Sequence, residues 1–240
     1  MSKSLKSIAK MIDHSLLHPS LTDEQLLDGF RFAVEKDVAA VSTKPYAVPM
    51  AKEVLDGSDV AVGSVVGFPH GNSRIEIKVR EAELACEDGA VELDAVLNIG
   101  KVLSRDWDYM DKEIGALNKV ARKNGALLKL IFENDYLDDD SFKVELCRIC
   151  SSHSVAFVKT STGYGFVKQK GGGGMYSYQG ATDHDLRLMR ARCVPGVQVK
   201  AAGGVRTLDD LLRVMELGVT RVGATATGAI LKEAVKRGYK

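Results

Sequence analysis

Short apolar runs, many of them β-branched, alternate with longer charged stretches from one end of the chain to the other. The short runs are KMIDHS near residue 12, VAAVST at 38 to 43, VAVGSVVGF at 60 to 68, VELDAVLN at 91 to 98, ALLKLIFE at 126 to 133, VAFVKTS at 155 to 161, VQVKAAG at 197 to 203 and RVGATA at 221 to 226. Between them the apolar positions recur at helical spacing. TDEQLLDGFRFAVEK opens on Thr22 as N-cap with Glu24 or Gln25 in the first turn, and RIEIKVREAELACEDG closes on Gly89. Strands alternating with helices imply a parallel sheet joined by crossover helices. Eight of each predict a closed (β/α)8 barrel, the TIM barrel architecture, with residues 1–240 as a single domain. An open doubly wound sheet usually has fewer strands and a glycine-rich turn after the first. Here that turn reads DHSLLHPS, and no G-x-G-x-x-G or Walker pattern occurs, so no nucleotide cofactor is expected.

Composition narrows the partner. With 45% hydrophobic and 27% charged residues over 240 positions, the chain can bury one large core. Basic residues number 33 against 32 acidic ones, and a net charge of +1 creates no broad field for nucleic acid or an anionic membrane. A small molecule is the expected partner. No apolar run approaches the ~20 residues that cross a bilayer, and the start MSKSLKSIAKMIDH lacks the apolar core of a signal peptide, which predicts a cytoplasmic protein. Cys86, Cys147, Cys150 and Cys193 are then expected as thiols. Cys147 and Cys150 form a C-x-x-C pair inside FKVELCRICSSH, the end of an amphipathic helix; without a second half-site, the pair reads as packing. No cluster of His and carboxylates shows ligand spacing, so no metal is expected.

In a barrel the chemistry gathers at the C-terminal ends of the strands. Lys159 lies among Val155, Phe157 and Val158 near the end of the sixth strand, Lys200 occupies a comparable place on the next, and Asp94 stands between Leu93 and Ala95 on the fourth. Each alone reads as a rim residue with a partner. Together they are harder to explain structurally, because two ammonium groups at ~4 Å in an effective dielectric of ~20 repel by about 4 kcal/mol. Repulsion and burial both favour loss of one proton, which supplies the neutral amine a Schiff base needs.

The segments IDHSLL (12 to 17), VVGFPHGN (65 to 72), VELDAVLNIG (91 to 100), FVKTSTGYG (157 to 165), GATDHDLRLMR (180 to 190) and VKAAGGVRT (199 to 207) resemble those of the deoxyribose-phosphate aldolase family, in order and spacing. The resemblance implies a class I aldolase without metal or organic cofactor. It implies Lys159 as the Schiff-base lysine, Lys200 as the neighbouring cation that lowers its pKa, and Asp94 as the proton carrier. Asp13 and Ser15 match a polar cluster at the barrel mouth, and Thr162 a position lining the hydroxyl end of the substrate. A phosphate cradle is implied at Gly163, Gly203, Gly204, Arg206, Gly223 and Thr225. The implied partners are a sugar phosphate and an aldehyde, and a homo-oligomer, dimer or tetramer, is compatible with the sequence. His14, His70 and His184 are read as structural, since the implied mechanism requires no imidazole.

Four departures bear on the substrate. Ala202 stands in the serine place of VKASGG, and GATATG has Thr225 and Ala226 where the family pattern reads Ser-Ser. A lost hydroxyl bond to a charged group is worth ~1.5 to 3 kcal/mol, so a non-phosphorylated sugar stays open as substrate. The second strand ends VSTKPYAVP, which puts Ser42 and Lys44 near the mouth; Lys44 reads either as a replacement charge or as a solvated loop lysine. Asn134 stands where the pattern has threonine. Finally, residues 166 to 179, FVKQKGGGGMYSYQ, are an insertion whose four glycines cannot hold one conformation cheaply. It reads as a lid carrying Lys168, Lys170, Tyr176 and Tyr178, or as a disordered excursion. Besides aldol chemistry on another sugar, a barrel that binds sugar phosphates without catalysis remains as the alternative.

Overall fold

The structure is a computed structural model that describes residues 4–168 and 174–240. Eight parallel strands close a barrel: β1 (Ile12–Leu16), β2 (Ala40–Thr43), β3 (Ala61–Val66), β4 (Glu92–Val96), β5 (Leu127–Ile131), β6 (Phe157–Lys159), and then β9 (Gln198–Ala202) and β10 (Arg221–Ala224), the last pairing back with β1. Between β6 and β9 the insertion contributes a separate antiparallel ribbon, β7 (Val167–Lys168) and β8 (Tyr176–Ser177), in which Val167 pairs with Ser177. Gln169, Lys170 and the first three glycines of the run, Gly171 to Gly173, lie outside the described residues.

Eight helices follow the expected alternation: α2 (Asp23–Glu35), α3 (Val48–Leu55), α4 (Ile75–Glu87), α6 (Trp107–Lys123), α7 (Asp140–Ser152), α8 (Asp183–Arg192), α9 (Leu208–Glu216) and α10 (Thr227–Lys236). Two short ones were not anticipated, α1 (Leu5–Ala9) and α5 (Ile99–Leu103). Thr22 caps α2 through a reciprocal box with Gln25, which settles Gln25 over Glu24 as the capping partner. After α4, Gly89 adopts φ 111°, as a chain reversing after a helix favours. Cys147 and Cys150 are buried in α7, and all four cysteines are free thiols. No helix among the described residues is long and apolar enough to cross a membrane.

Two interiors divide the side chains. Outward-facing strand residues such as Leu93, Leu130, Val158 and Val199 pack on Leu26, Phe30, Ile114 and Leu211 from the helices and form the apolar core. The lumen of the barrel is charged instead: Asp13, Glu92, Asp94, Lys129, Lys159 and Lys200 are all buried there. Period-two alternation makes this division, since neighbours along a strand face opposite sides. The register then sets who meets whom: Asp94 stands level with Lys129 and Lys159 with Lys200.

Candidate active site

The three residues singled out by sequence meet. The Lys159 Nζ donates to Asp94 Oδ2 at 2.6 Å, and the Lys200 Nζ donates to the same oxygen at 2.7 Å. Lys200 also donates to Asp13 Oδ2 at 2.5 Å. A third amine, Lys129, which the sequence reading passed over, donates to the same Asp13 oxygen at 2.7 Å, approaches Asp94 Oδ1 at 3.2 Å and bonds Glu92. Arg221 closes the floor, 2.6 Å from Asp13 Oδ1 and 3.1 Å from Glu92. The missed groups carried a signal: Glu92 and Asp94 share one face of β4 by alternation, and Lys129 interrupts an otherwise apolar LLKLI.

Counted together, Lys129, Lys159, Lys200 and Arg221 face Asp13, Glu92 and Asp94. The cluster holds one base more than acid, so loss of one proton makes it neutral. Burial, working against the pull of Asp13 and Asp94, lowers the Lys200 amine to about 8. Lys129 moves the other way: burial opposes its charge, but Asp13, Asp94 and Glu92 hold it above its ordinary value. Burial would raise the carboxyls of Asp13 and Asp94, yet the surrounding cations keep both well below the usual carboxylate range. The two lysines are linked by sharing one carboxylate oxygen.

Above this cluster opens a cavity of about 180 Å³. Lys159 and Lys200 line it, as do Ser15, Thr162, Gly163, Gly203, Gly204, Arg206, Gly223 and Thr225. Asp13 does not, which corrects its assignment to the mouth. It precedes Ser15 by two residues on the same inward face, so it lies one layer, roughly 7 Å, deeper in the barrel, where it is fully buried among cations. Ser42 lines the cavity, whereas the Lys44 amine turns to the Leu21 carbonyl at 2.9 Å and is not among the lining residues. Gly203 and Gly204 both adopt φ 84°, where side chains are disfavoured, leaving their peptide groups free to approach a ligand. Ala202 presents a methyl to the cavity; Ala226 does not line it and is the uncapped N-cap of α10.

Behind the β6 loop, Glu133 is buried at φ 56° and accepts the Thr162 backbone N–H at 3.2 Å and the Thr162 hydroxyl. Holding a non-glycine residue there costs roughly 1 kcal/mol or more, and these bonds fix the loop that follows Lys159. Burial raises the Glu133 carboxyl above its ordinary value.

Compared with known proteins, residues 7–235 match the DeoC/LacD family aldolase. The chain belongs to that aldolase family. It is 46% identical over 230 residues to the deoxyribose-phosphate aldolase of Rhodopirellula baltica, covering 96% of this chain and 90% of that one. Identity to the deoxyribose-phosphate aldolase of Thermococcus gammatolerans is 41% over 231 residues, 95% of this chain and 96% of the other. Among solved structures, the tetrameric deoxyribose phosphate aldolase of Aeropyrum pernix superposes with a TM-score of 0.84 at 28% identity, over 97% of this chain and 92% of that one. The family is one of lyases that act on small molecules.

A larger cavity of about 590 Å³ lies on the flank, lined by Asn134, Asp135, Asp140, Lys143, His184 and Asp185 among others, and contains none of the amines of the aldolase cluster. Here Asp140, His184 and Asp185 bring ligand atoms within 4.8 Å of one another, a grouping that helices distant in sequence assemble and that spacing alone does not reveal. The Lys143 ammonium sits on the same carboxylates, 2.8 Å from Asp140 and 2.7 Å from Asp185, in the role a cation would take. Asn134 belongs to this flank rather than to the aldolase cavity. His14 bonds the Thr227 hydroxyl at 2.9 Å, His184 bonds Asp140 at 2.6 Å, and His70 is exposed; none lines the aldolase cavity.

Proposed function

We propose that this aldolase cleaves 2-deoxy-D-ribose 5-phosphate reversibly to D-glyceraldehyde 3-phosphate and acetaldehyde, through a Schiff base on Lys159. The observation that carries the choice of lysine is access. Lys159 and Lys200 share one carboxylate oxygen, but the Lys159 side chain keeps 4% of its surface open to the cavity and Lys200 has 0%. A nucleophile must reach a carbonyl that arrives from solvent.

The neutral Lys159 amine attacks the C1 carbonyl of the open-chain sugar, the carbonyl oxygen takes a proton, and loss of water leaves the iminium. Withdrawal of electrons into that iminium lets the C2–C3 bond break as the C3 hydroxyl gives up its proton. Glyceraldehyde 3-phosphate departs, and the enamine is protonated at C2 before water releases acetaldehyde. Asp94, hydrogen-bonded to both amines, is suited to pass these protons, with Lys200 as its second partner. The cluster's spare base lets Lys159 be neutral while the lumen stays close to charge balance. Gly163, Gly203, Gly204, Gly223, Thr225 and Arg206 line the same cavity and suit a phosphate. The Ala202 methyl among the lining residues favours, as a second reading, a non-phosphorylated sugar.

Borohydride reduction in the presence of acetaldehyde tests the chemistry, since only an imine is reduced to a stable secondary amine. The adduct is expected on Lys159 by peptide mapping. An adduct on Lys200 alone reverses the two roles, and no adduct on any lysine turns the reading towards a binding protein. A chelator is expected to leave the rate unchanged. We assign the reaction to the cytoplasm, in keeping with the four free thiols. A dimer or tetramer in light scattering is the expected assembly, the tetramer of the Aeropyrum pernix protein being the reference.

A further inference from the structure

The insertion returns to the barrel through Tyr178, and its backbone is pinned there. The Asp135 carboxylate accepts the N–H of Gln179 at 2.6 Å and of Gly180 at 3.0 Å, and the Phe166 ring packs on the Tyr178 ring at a centroid distance of 5.8 Å. The ring is thereby aimed inward: Tyr178 lines the aldolase cavity together with Lys159 and Thr162. Tyr176, two residues earlier, is 61% exposed and takes no part in it. The Tyr178 hydroxyl lies over the second glycine loop, since a Cβ added to Gly203 would overlap it and one added to Gly163 would stand 3.9 Å away. That hydroxyl is buried beside the Ser161 hydroxyl, close enough for Ser161 to act on the phenol, yet neither makes a well-formed hydrogen bond among the described residues. Burial raises the Tyr178 phenol above its ordinary value, so it keeps its proton and remains a donor at neutral pH.

A buried hydroxyl without a well-formed hydrogen bond is uncommon in a folded protein, and an acceptor entering the cavity can complete it. This one sits between Gly163 and Gly203, the backbone loops that the proposed function gives to the phosphate, and Arg206 lines the same cavity. A serine hydroxyl expected by the family resemblance is missing from the cavity wall at Ala202. We propose that Tyr178, carried in by the insertion, donates a hydrogen bond to the anionic phosphate end of the substrate and sets the preference for phosphorylated sugars. It takes over a function that a serine would otherwise perform. The proposal rests on the aldolase reading of this cavity, which supplies both the substrate and the place of its phosphate.

Tyr178→Phe removes the hydroxyl and keeps the ring on Phe166. Its kcat/KM for deoxyribose 5-phosphate is expected to fall about tenfold, mainly through KM, while free deoxyribose changes less than about twofold. Inorganic phosphate titrated into the native chain and the variant, followed calorimetrically, gives a reading that needs no turnover: its affinity is expected to weaken about tenfold, with the melting temperature unchanged. An equal loss on both sugars, or a loss confined to kcat, would place the hydroxyl at the reacting carbons and overturn the proposal. So would unchanged phosphate affinity in the variant, or a native chain that binds no phosphate. Absence of cleavage of either sugar by the native chain, with phosphate affinity still dependent on Tyr178, would instead remove the substrate assignment and leave the Tyr178 site standing.

Discussion

Lys159 and Lys200 donate to one and the same oxygen of Asp94, at 2.6 and 2.7 Å, from adjacent strands of the barrel. Two cations on one carboxylate oxygen cannot both be fully matched, and the wider lumen repeats the imbalance with four bases against three acids. Replacing Lys200 by Met leaves three of each. The drive to shed a proton then disappears, and Lys159 is expected to stay an ammonium at neutral pH. Activity at pH 7 should fall by about 100-fold or more and recover in part as pH rises towards the usual lysine range of ~10.4. Lys159→Met should be inactive at every pH. A profile for Lys200→Met parallel to that of the native chain would take Lys200 out of this role.

Lys129 adds a prediction for stability, beside the loss of rate that the same three-to-three balance implies. It is fully buried, held above its ordinary pKa, and touches Asp13, Glu92 and Asp94. Lys129→Met removes the cation most deeply shared by the three carboxylates. Breaking a buried pair from one side costs about 3 to 5 kcal/mol. Urea unfolding should show a loss of that order, and a loss below about 1 kcal/mol would mean that Lys200 and Arg221 suffice to hold the carboxylates.

Ala202 tests how much of the phosphate preference has been given up. Its methyl lines the cavity beside Gly203, so Ala202→Ser sets a hydroxyl on that wall. One added charge-assisted bond should lower KM for deoxyribose 5-phosphate by up to about tenfold and leave free deoxyribose unchanged. Equal kcat/KM for the two sugars in the native chain, with no separate response in the variant, would favour a non-phosphorylated substrate. Ala226→Ser is the weaker probe, because Ala226 stands at the N-cap of α10, where a serine would also act on the helix.

His14 predicts an acid limb. Burial lowers its imidazole from 6.5 to about 4, so the folded chain keeps it neutral where the unfolded chain protonates it. The contribution to stability is fully present above pH 6.5 and is lost as pH falls through the window down to about 4. A shift of this size is worth about 3 kcal/mol. Unfolding free energies of His14→Gln should depend less on pH across that window than those of the native chain, and identical slopes would show that His14 is not the group responsible.

The alternation of apolar runs and helical periods was enough to number the barrel strands and place their ends within about two residues, because parallel strands in a barrel are short, buried and separated by long crossovers. Thr22 as N-cap and Gly89 as a reversal were legible for the same reason: caps act over a few residues of chain. Lys159, Lys200 and Asp94 stood out because a charge inside an apolar strand is costly wherever that strand ends up. Those inferences needed only neighbours in sequence.

What the tertiary structure decided was depth, partnership and the course of the insertion. Asp13 and Ser15 look alike in IDHSLL, yet one is sealed beneath the cavity and the other lines it, because the tilt and stagger of the closed barrel turn two residues of strand into a whole layer of depth. Lys129 reads as an ordinary strand lysine until the register brings it level with Asp94, and Arg221 joins the same cluster only once β10 closes on β1. Tyr178 follows a glycine run whose local preferences specify nothing. It reaches the cavity because Asp135 and Phe166, 43 and 12 residues earlier, hold the returning strand. Local patterning sets which residues alternate and which helices cap, whereas closing a ring of eight strands sets which buried charges share an oxygen, and only the second depends on contacts far apart along the chain.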